Sequence, residues 1–209
     1  MRSSKRGKRA AALLVVAPAL LSWGCSRQEE SESPKSGAIT VTPIDLSEPE
    51  YAEAKTFLGS VSGAVRLRYE GDKPKASLEL DIWQNGDIAG TGGSIADLFS
   101  DAGDDREIEL ILSTESVQSE GSDPILQVKT AAFKGNGYST YTMSLPWDPK
   151  RNLRGSIEHA EAKTFGANEP APIWGMQAAG SNGMETADFS QESLSRVEWG
   201  LIFTLRPAP

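Results

Sequence analysis

Apolar side chains recur at every second position along much of this chain, and that period leaves few folds open. Val65, Leu67 and Tyr69 alternate with Arg66, Arg68 and Glu70, and Leu78, Leu80 and Ile82 alternate with Glu79, Asp81 and Trp83. Successive side chains of a strand point to opposite faces, so such runs predict strands with one buried face. Gly71-Asp72-Lys73-Pro74 is a turn sequence, and residues 63–84 therefore read as an antiparallel hairpin. Asn85-Gly86 tolerates positive φ and closes the second strand. Ile108, Leu110 and Leu112 repeat the alternation. Leu126 to Phe133 and Tyr138 to Leu145 form a second predicted hairpin through Asn136-Gly137, stopped by Pro146-Trp147-Asp148-Pro149. Ala38 to Val41, Leu153 to Ala160 and the strongly apolar Val197 to Leu205 complete the predicted strands.

Helical signals are few. Ser94-Ile95-Ala96-Asp97 has the form of a capping box, with Leu98 and Phe99 following, and Glu185 to Leu194 suits one short turn. The pattern predicts an all-β, mainly antiparallel fold: a single β-sandwich over residues 38–209 with one or two short helices. Ala-Glu-Ala-Lys-Thr-Phe stands at 52–57 and again at 160–165 between unlike flanks. A duplicated domain would extend its likeness into those flanks, so the repeat reads as coincidence or as two equivalent edge motifs.

Ahead of this domain the composition changes. Arg2, Lys5, Arg6, Lys8 and Arg9 precede a wholly apolar run from Ala10 to Leu21. Spanning a bilayer core takes roughly 20 apolar residues, so the run is too short to cross, and basic start plus short apolar stretch is the pattern of an export signal. Ser22-Trp23-Gly24-Cys25 ends the run, with the chain's lone Cys. Leu21-Ser22-Trp23-Gly24-Cys25 resembles a bacterial lipoprotein signal. That resemblance implies cleavage before Cys25 and lipidation of its sulfur by diacylglycerol. The alternative is ordinary cleavage after Ala17-Pro18-Ala19. The signal would be residues 1–24. Residues 25–37, rich in Ser and Glu, have no side chains to bury and read as a flexible tether. Loss of the signal's five cations would take the net charge from −8 to −13. The mature chain also faintly resembles uncharacterised small lipoproteins of Gram-positive bacteria, at Ile82-Trp83-Gln84-Asn85-Gly86, Ile173-Trp174-Gly175 and Val197 to Phe203. That likeness implies a fold and a location but no activity.

Several chemistries are disfavoured. One Cys and one His exclude an internal disulfide and a structural zinc site. An acidic chain lacks the cations that nucleic-acid binding draws on. Gly59-Ser60-Val61-Ser62-Gly63 has Val where a nucleophile elbow needs Ser, and Gly90-Thr91-Gly92-Gly93-Ser94 lacks the Lys of a phosphate loop and reads as a flexible loop feeding a short helix. No catalytic residue, metal ligand or cofactor is assigned.

Two acidic features leave alternatives open. His159, near Glu158 and Glu161, or the cluster of Asp101, Asp104, Asp105 and Glu107, with Asp97 nearby, would serve a small acid-dependent hydrolase. The same acids would suit a Ca²⁺-stabilised module. The favoured expectation is a non-catalytic, lipid-anchored protein on the outer, extracellular face of the cytoplasmic membrane, or else facing the periplasm or on an outer membrane. Its partners would be the membrane, through the lipid, and a cell-wall glycan or a protein. Trp199 shares an apolar face with Val197, Leu201, Phe203 and Leu205 and is expected in the core. Trp83, beside Glu79 and Asp81, and the loop residues Trp147 and Trp174 are the candidate stacking platform. Labelled fatty acid is expected to enter the wild-type chain and to be lost in Cys25→Ser, which should leave the membrane. A Cys25→Ser chain that stays membrane-bound after signal cleavage would refute the anchor.

Overall fold

The computed structural model describes residues 37–100, 106–135, 137–180 and 183–207. The signal, Cys25 and all of the tether but Gly37 lie outside them, as do Asp101, Asp104, Asp105 and Asn136. Strand β1 (Ala38–Ile44) is followed by a 3-10 helix (Pro49–Thr56), then β2 (Val61–Glu70), β3 (Ala76–Gln84) and β4 (Asp87–Ile95). The chain continues through β5 (Glu107–Val117), β6 (Ile125–Lys134), β7 (Gly137–Pro146), β8 (Leu153–Ile157), β9 (Lys163–Gly166) and β10 (Ala171–Ala179). A one-turn helix α1 (Gln191–Leu194) precedes β11 (Trp199–Pro207).

The strands form two antiparallel sheets, one of six strands in the order β7-β6-β5-β2-β1-β9 and one of five in the order β4-β3-β11-β10-β8. Their inner faces share one core, with Val65, Leu67, Leu110, Leu112 and Val128 from the first and Leu78, Leu80, Trp174, Leu201 and Phe203 from the second. The fold is thus the all-β sandwich that the alternation predicts. β6 and β7 make the predicted hairpin, in register from Ile125↔Pro146 to Lys134↔Gly137.

The hairpin predicted over 63–84 is not one. β2 pairs with β1 and β5, whereas β3 pairs with β4 and β11, so residues 71–75 carry the chain from one sheet to the other. Alternation reveals which face of a strand is buried, not which strand lies beside it. The apolar faces of β2 and β3 meet across the core instead of lying side by side. Asn85-Gly86 does close a two-residue hairpin, but between β3 and β4, with φ of 51° and 85°.

The loop and short helix predicted over 90–99 are also absent. Residues 87–95 form edge strand β4, bulged at two register shifts, and Leu98 and Phe99 then turn inward to full burial. The Leu98 N–H donates to the Ala76 carbonyl at 3.0 Å, and Phe99 meets Tyr69 edge-on at 5.5 Å. The apolar spacing of Ile95, Leu98 and Phe99 thus reflects core burial without helix. The second predicted turn exists as α1, capped by the Ser190 hydroxyl, which accepts from the Ser193 N–H.

The repeated hexapeptide takes two structures. At 52–57 it runs through the 3-10 helix, and Phe57 packs on the outside of the six-stranded sheet with Ile111 and Ala131. At 160–165 it enters β9, where Phe165 lies opposite Ile39 and packs against the main core. Equivalent edge motifs are therefore excluded. A six-residue segment has too little propensity of its own to resist its surroundings.

Two close approaches fix the layers. Trp174, from the five-stranded sheet, lies against Gly63 of β2: a Cβ added at Gly63 would sit 2.0 Å from Trp174 Nε1 and 2.8 Å from Glu158 Oε1. The indole N–H donates to that Glu158 oxygen at 3.0 Å, so burial leaves it paired. On the outer side of the five-stranded sheet, Trp83, Asp81 and Glu79 share the face the alternation assigned them, opposite Gly200, Ile202 and Thr204. That face does not meet solvent at Trp83, which is only 8% exposed beneath Ala187, Leu194 and Val197. Val197 belongs to this cover and not to the core face of Trp199. The Asn85 and Gly86 N–H groups donate to the Glu198 and Val197 carbonyls at 2.9 and 3.1 Å, which ties the cover to the β3–β4 turn.

Two consequences are measurable by denaturant titration. Trp83→Ala is expected to cost about 3–5 kcal/mol, the cost of truncating a buried Trp. A loss near the surface range of about 0.5 kcal/mol would show that the cover does not pack. Gly63→Ala is expected to cost about 3 kcal/mol or more through overpacking. Combination with Trp174→Phe should cost less than the two single changes added together. Strict additivity would mean that the two residues do not touch.

Candidate functional site

The three tryptophans proposed as a stacking platform are all inside. Trp174 is 0% and Trp147 5% exposed, and Trp83 lies beneath the α1 segment. Trp147 comes from a Pro-bounded loop that folds back so that its ring meets Trp199 edge-on at 5.2 Å. The Arg154 guanidinium lies 4.7 Å from the Trp147 ring and donates to the Ser60 and Ser116 hydroxyls at 3.2 and 3.1 Å. Arg151 lies 5.2 Å from the Trp199 ring. Trp147 and Trp174 belong to the main core and Trp83 to the covered outer cluster, so none of the three offers a free face to a ligand.

His159 is also engaged. Its Nε2 is 2.7 Å from the Pro172 carbonyl oxygen, which makes Nε2 the protonated nitrogen, and its ring packs against Phe189 and Phe165 at 4.6 and 5.8 Å. Burial holds its pKa below the ordinary value, only partly offset by the Pro172 bond, so the ring favours the neutral form. A concavity of about 490 Å³ lies beside it, with Asp45, Ser62 and Glu158 in its lining. Ser62, however, donates to Ser113 Oγ at 3.0 Å, and Glu158 accepts from Trp174. Ser62 and Glu158 thus already serve the fold, and exposed Asp45 accepts from the Ser47 N–H at 2.8 Å. Of the acidic cluster, Glu107 pairs with Arg66 at 2.9 Å, and Asp97 takes a positive φ of 47°. Among the described residues no group of three or more His, Cys, Asp or Glu could hold a metal ion.

A concavity of about 430 Å³ beside α1 has Gln177, Glu185, Arg196 and Glu198 in its lining, and these polar groups have partners in the fold, with Glu198 accepting from the Gly180 N–H at 3.2 Å. Arg196 pairs with Glu192 at 3.2 Å and Glu185 at 3.8 Å, and Gln177 donates to the Glu185 carbonyl at 2.9 Å.

The outer face of the six-stranded sheet is different. The pairings Glu109↔Phe133↔Tyr138 and Ile111↔Ala131↔Thr140 put these six side chains on one face of β5, β6 and β7. The 3-10 helix and Phe57 cover the middle of that face, where Ile111 and Ala131 pack with Tyr51, Ala54 and Phe57. Between this cover and the β6–β7 hairpin a groove of about 540 Å³ stays open. Its floor is Ile111 and Ala131, its aromatic sides are Tyr51 and Phe57 against Phe133 and Tyr138, and Glu50, Glu53, Glu109 and Thr140 supply polar groups. Phe133 and Tyr138 stack at 5.9 Å, and Tyr138 is 71% exposed. Glu109 is held by Arg66, and that bond, the largest influence on Arg66, raises the guanidinium pKa. Burial first, then the charge of Glu109, raises the pKa of the Tyr51 phenol and keeps it a neutral donor.

Arranged in this way, the groove can stack a flat, weakly polar surface and accept hydrogen bonds around it. The sequence held one signal of it. In Tyr138-Ser139-Thr140-Tyr141-Thr142 neither alternate face is strongly apolar, the mark of a strand with little to bury on either side. The share of the 3-10 helix was not legible, because it rests on which sheet face that helix covers. No protein-family model, no curated protein and no solved structure matches the chain.

Proposed function

We propose that this chain is an exported, lipid-anchored protein with a non-catalytic binding role at the cell envelope, and that the aromatic groove on the six-stranded sheet is its binding site. Support for the anchor is the basic and apolar start ending at Cys25, the chain's single thiol. Exposed Tyr138 stacked on Phe133, facing Tyr51 and Phe57 across an open groove, carries the binding reading. Large exposed aromatics grouped on one face mark interaction surfaces. The ligand that suits them is a cell-wall glycan. Sugar rings present apolar C–H faces to aromatics and hydroxyls to carboxylates, while the acidic rim of Glu50 and Glu53 repels anionic ligands such as nucleic acid.

This reading is preferred to the hydrolase because the Nε2 of His159, Glu158 and Ser62 are already engaged by the fold. The test is retention of the purified chain on insoluble cell-wall glycan. Phe133→Ala with Tyr138→Ala is expected to weaken retention about tenfold or more, which is ~1.4 kcal/mol. The two side chains are partly or largely exposed, so the melting temperature should move little. Wild-type chain that is not retained, or retention indifferent to the double substitution, would remove the groove as a glycan site.

A further inference from the structure

We propose that β7 is the edge through which two copies of this chain pair, antiparallel, into one continuous sheet across both molecules. A sheet edge presents N–H and C=O groups of alternate residues to any strand that comes alongside, and proteins blunt such edges with charges, bulges, prolines or short strands. Three of the four edges here are blunted. β9 has four residues and begins with Lys163, β8 has five and carries Arg154, and β4 is bulged at two register shifts. β7 has ten residues, follows β6 without a register shift, and contains no charged side chain and no proline before Pro146. Its first six residues are exposed, with Tyr141 36% exposed on the face opposite Tyr138. Among the described residues no strand pairs with its far side.

Charge selects the occupant. A two-fold axis lays a strand against its own sequence, so an edge with charges would oppose like to like. The chain as a whole carries a net charge of −8, yet Gly137–Pro146 has no charged side chain, so the strand laid against its own sequence opposes no like charges in any register, and the general repulsion of two acidic copies falls outside the strand. Tyr138, Thr140, Tyr141 and Thr142 are aromatic or β-branched, the residue types that favour cross-strand pairs. A second copy therefore fits this edge better than an acidic or basic peptide.

The experiment is sedimentation of the full chain in non-ionic detergent, compared with Ser139→Lys/Thr142→Lys on β7 and Thr164→Lys on β9. Neither β7 position lines the groove, so the result is independent of glycan binding. The wild type and the β9 variant are expected to be dimeric. The β7 variant should dissociate at least tenfold more readily, with the melting temperature of its monomer, measured well below the dimer's dissociation constant, unchanged from that of the wild type. If that variant does not fold, single Cys substitutions at Ser139, Thr140, Tyr141 and Thr142 in a Cys25→Ser chain replace it, and at least one should give a disulfide-linked dimer under mild oxidation. The proposal is overturned by a wild type that stays monomeric at about 100 µM, well above the dissociation constant of a specific interface. A dimer indifferent to the β7 lysines also overturns it, as does a Cys series that never cross-links.

Discussion

The sandwich depends on the burial of two apolar sheet faces against each other, and its tightest point is Trp174 over Gly63. An indole from the five-stranded sheet takes the space that any side chain on β2 would fill, and its N–H is satisfied by Glu158. Interiors are packed near crystal density, so a large ring in one layer requires a missing side chain in the other. Around it, Phe203, Leu201 and Leu80 from one sheet face Leu67, Leu110 and Val128 from the other. Removal of this area from water is the main favourable contribution to the fold.

The outer faces are treated unequally, and the candidate site follows from that. On the five-stranded sheet, the segment carrying α1 closes over Trp83 and Ile202 and is pinned by hydrogen bonds to the β3–β4 turn. Farther along the same face, Asp81 accepts from Thr204 and pairs with Arg206, so a polar cluster continues where the apolar cover stops. On the six-stranded sheet the 3-10 helix covers only the centre. Phe133 and Tyr138 extend beyond that cover, and the groove is the space between the two.

The functional reading thus moves from tryptophans to tyrosines. Trp147 and Trp174 sit in segments rich in Pro and Gly, which suggested exposure, yet large aromatics contribute most when buried. Trp174 is not a loop residue but lies on strand β10 between the two sheets, and Trp147 returns from its loop to Trp199, with Arg154 across its ring. Tyr138 and Tyr141, on a strand with no strongly apolar face, are left outside because none of the described residues covers the first half of β7. The candidate glycan groove and the candidate pairing edge meet on that one hairpin.

What the sequence alone determined is the buried face of the strands whose alternation it showed. The two-residue period assigned Leu78, Leu80 and Leu201 to one side and Glu79, Asp81 and Trp83 to the other, and the positive-φ pair Asn85-Gly86 placed the turn between β3 and β4. These features are local, because side-chain direction and turn geometry follow from neighbouring dihedrals. Only the tertiary structure decided which strands lie together, what covers an outer face, and what a short ambiguous segment becomes. β2 and β3 went to different sheets, Trp83 was buried by residues a hundred positions away in sequence, and one hexapeptide became both a 3-10 helix and a strand. Partner choice depends on the packing free energy of the whole chain, which no local pattern encodes.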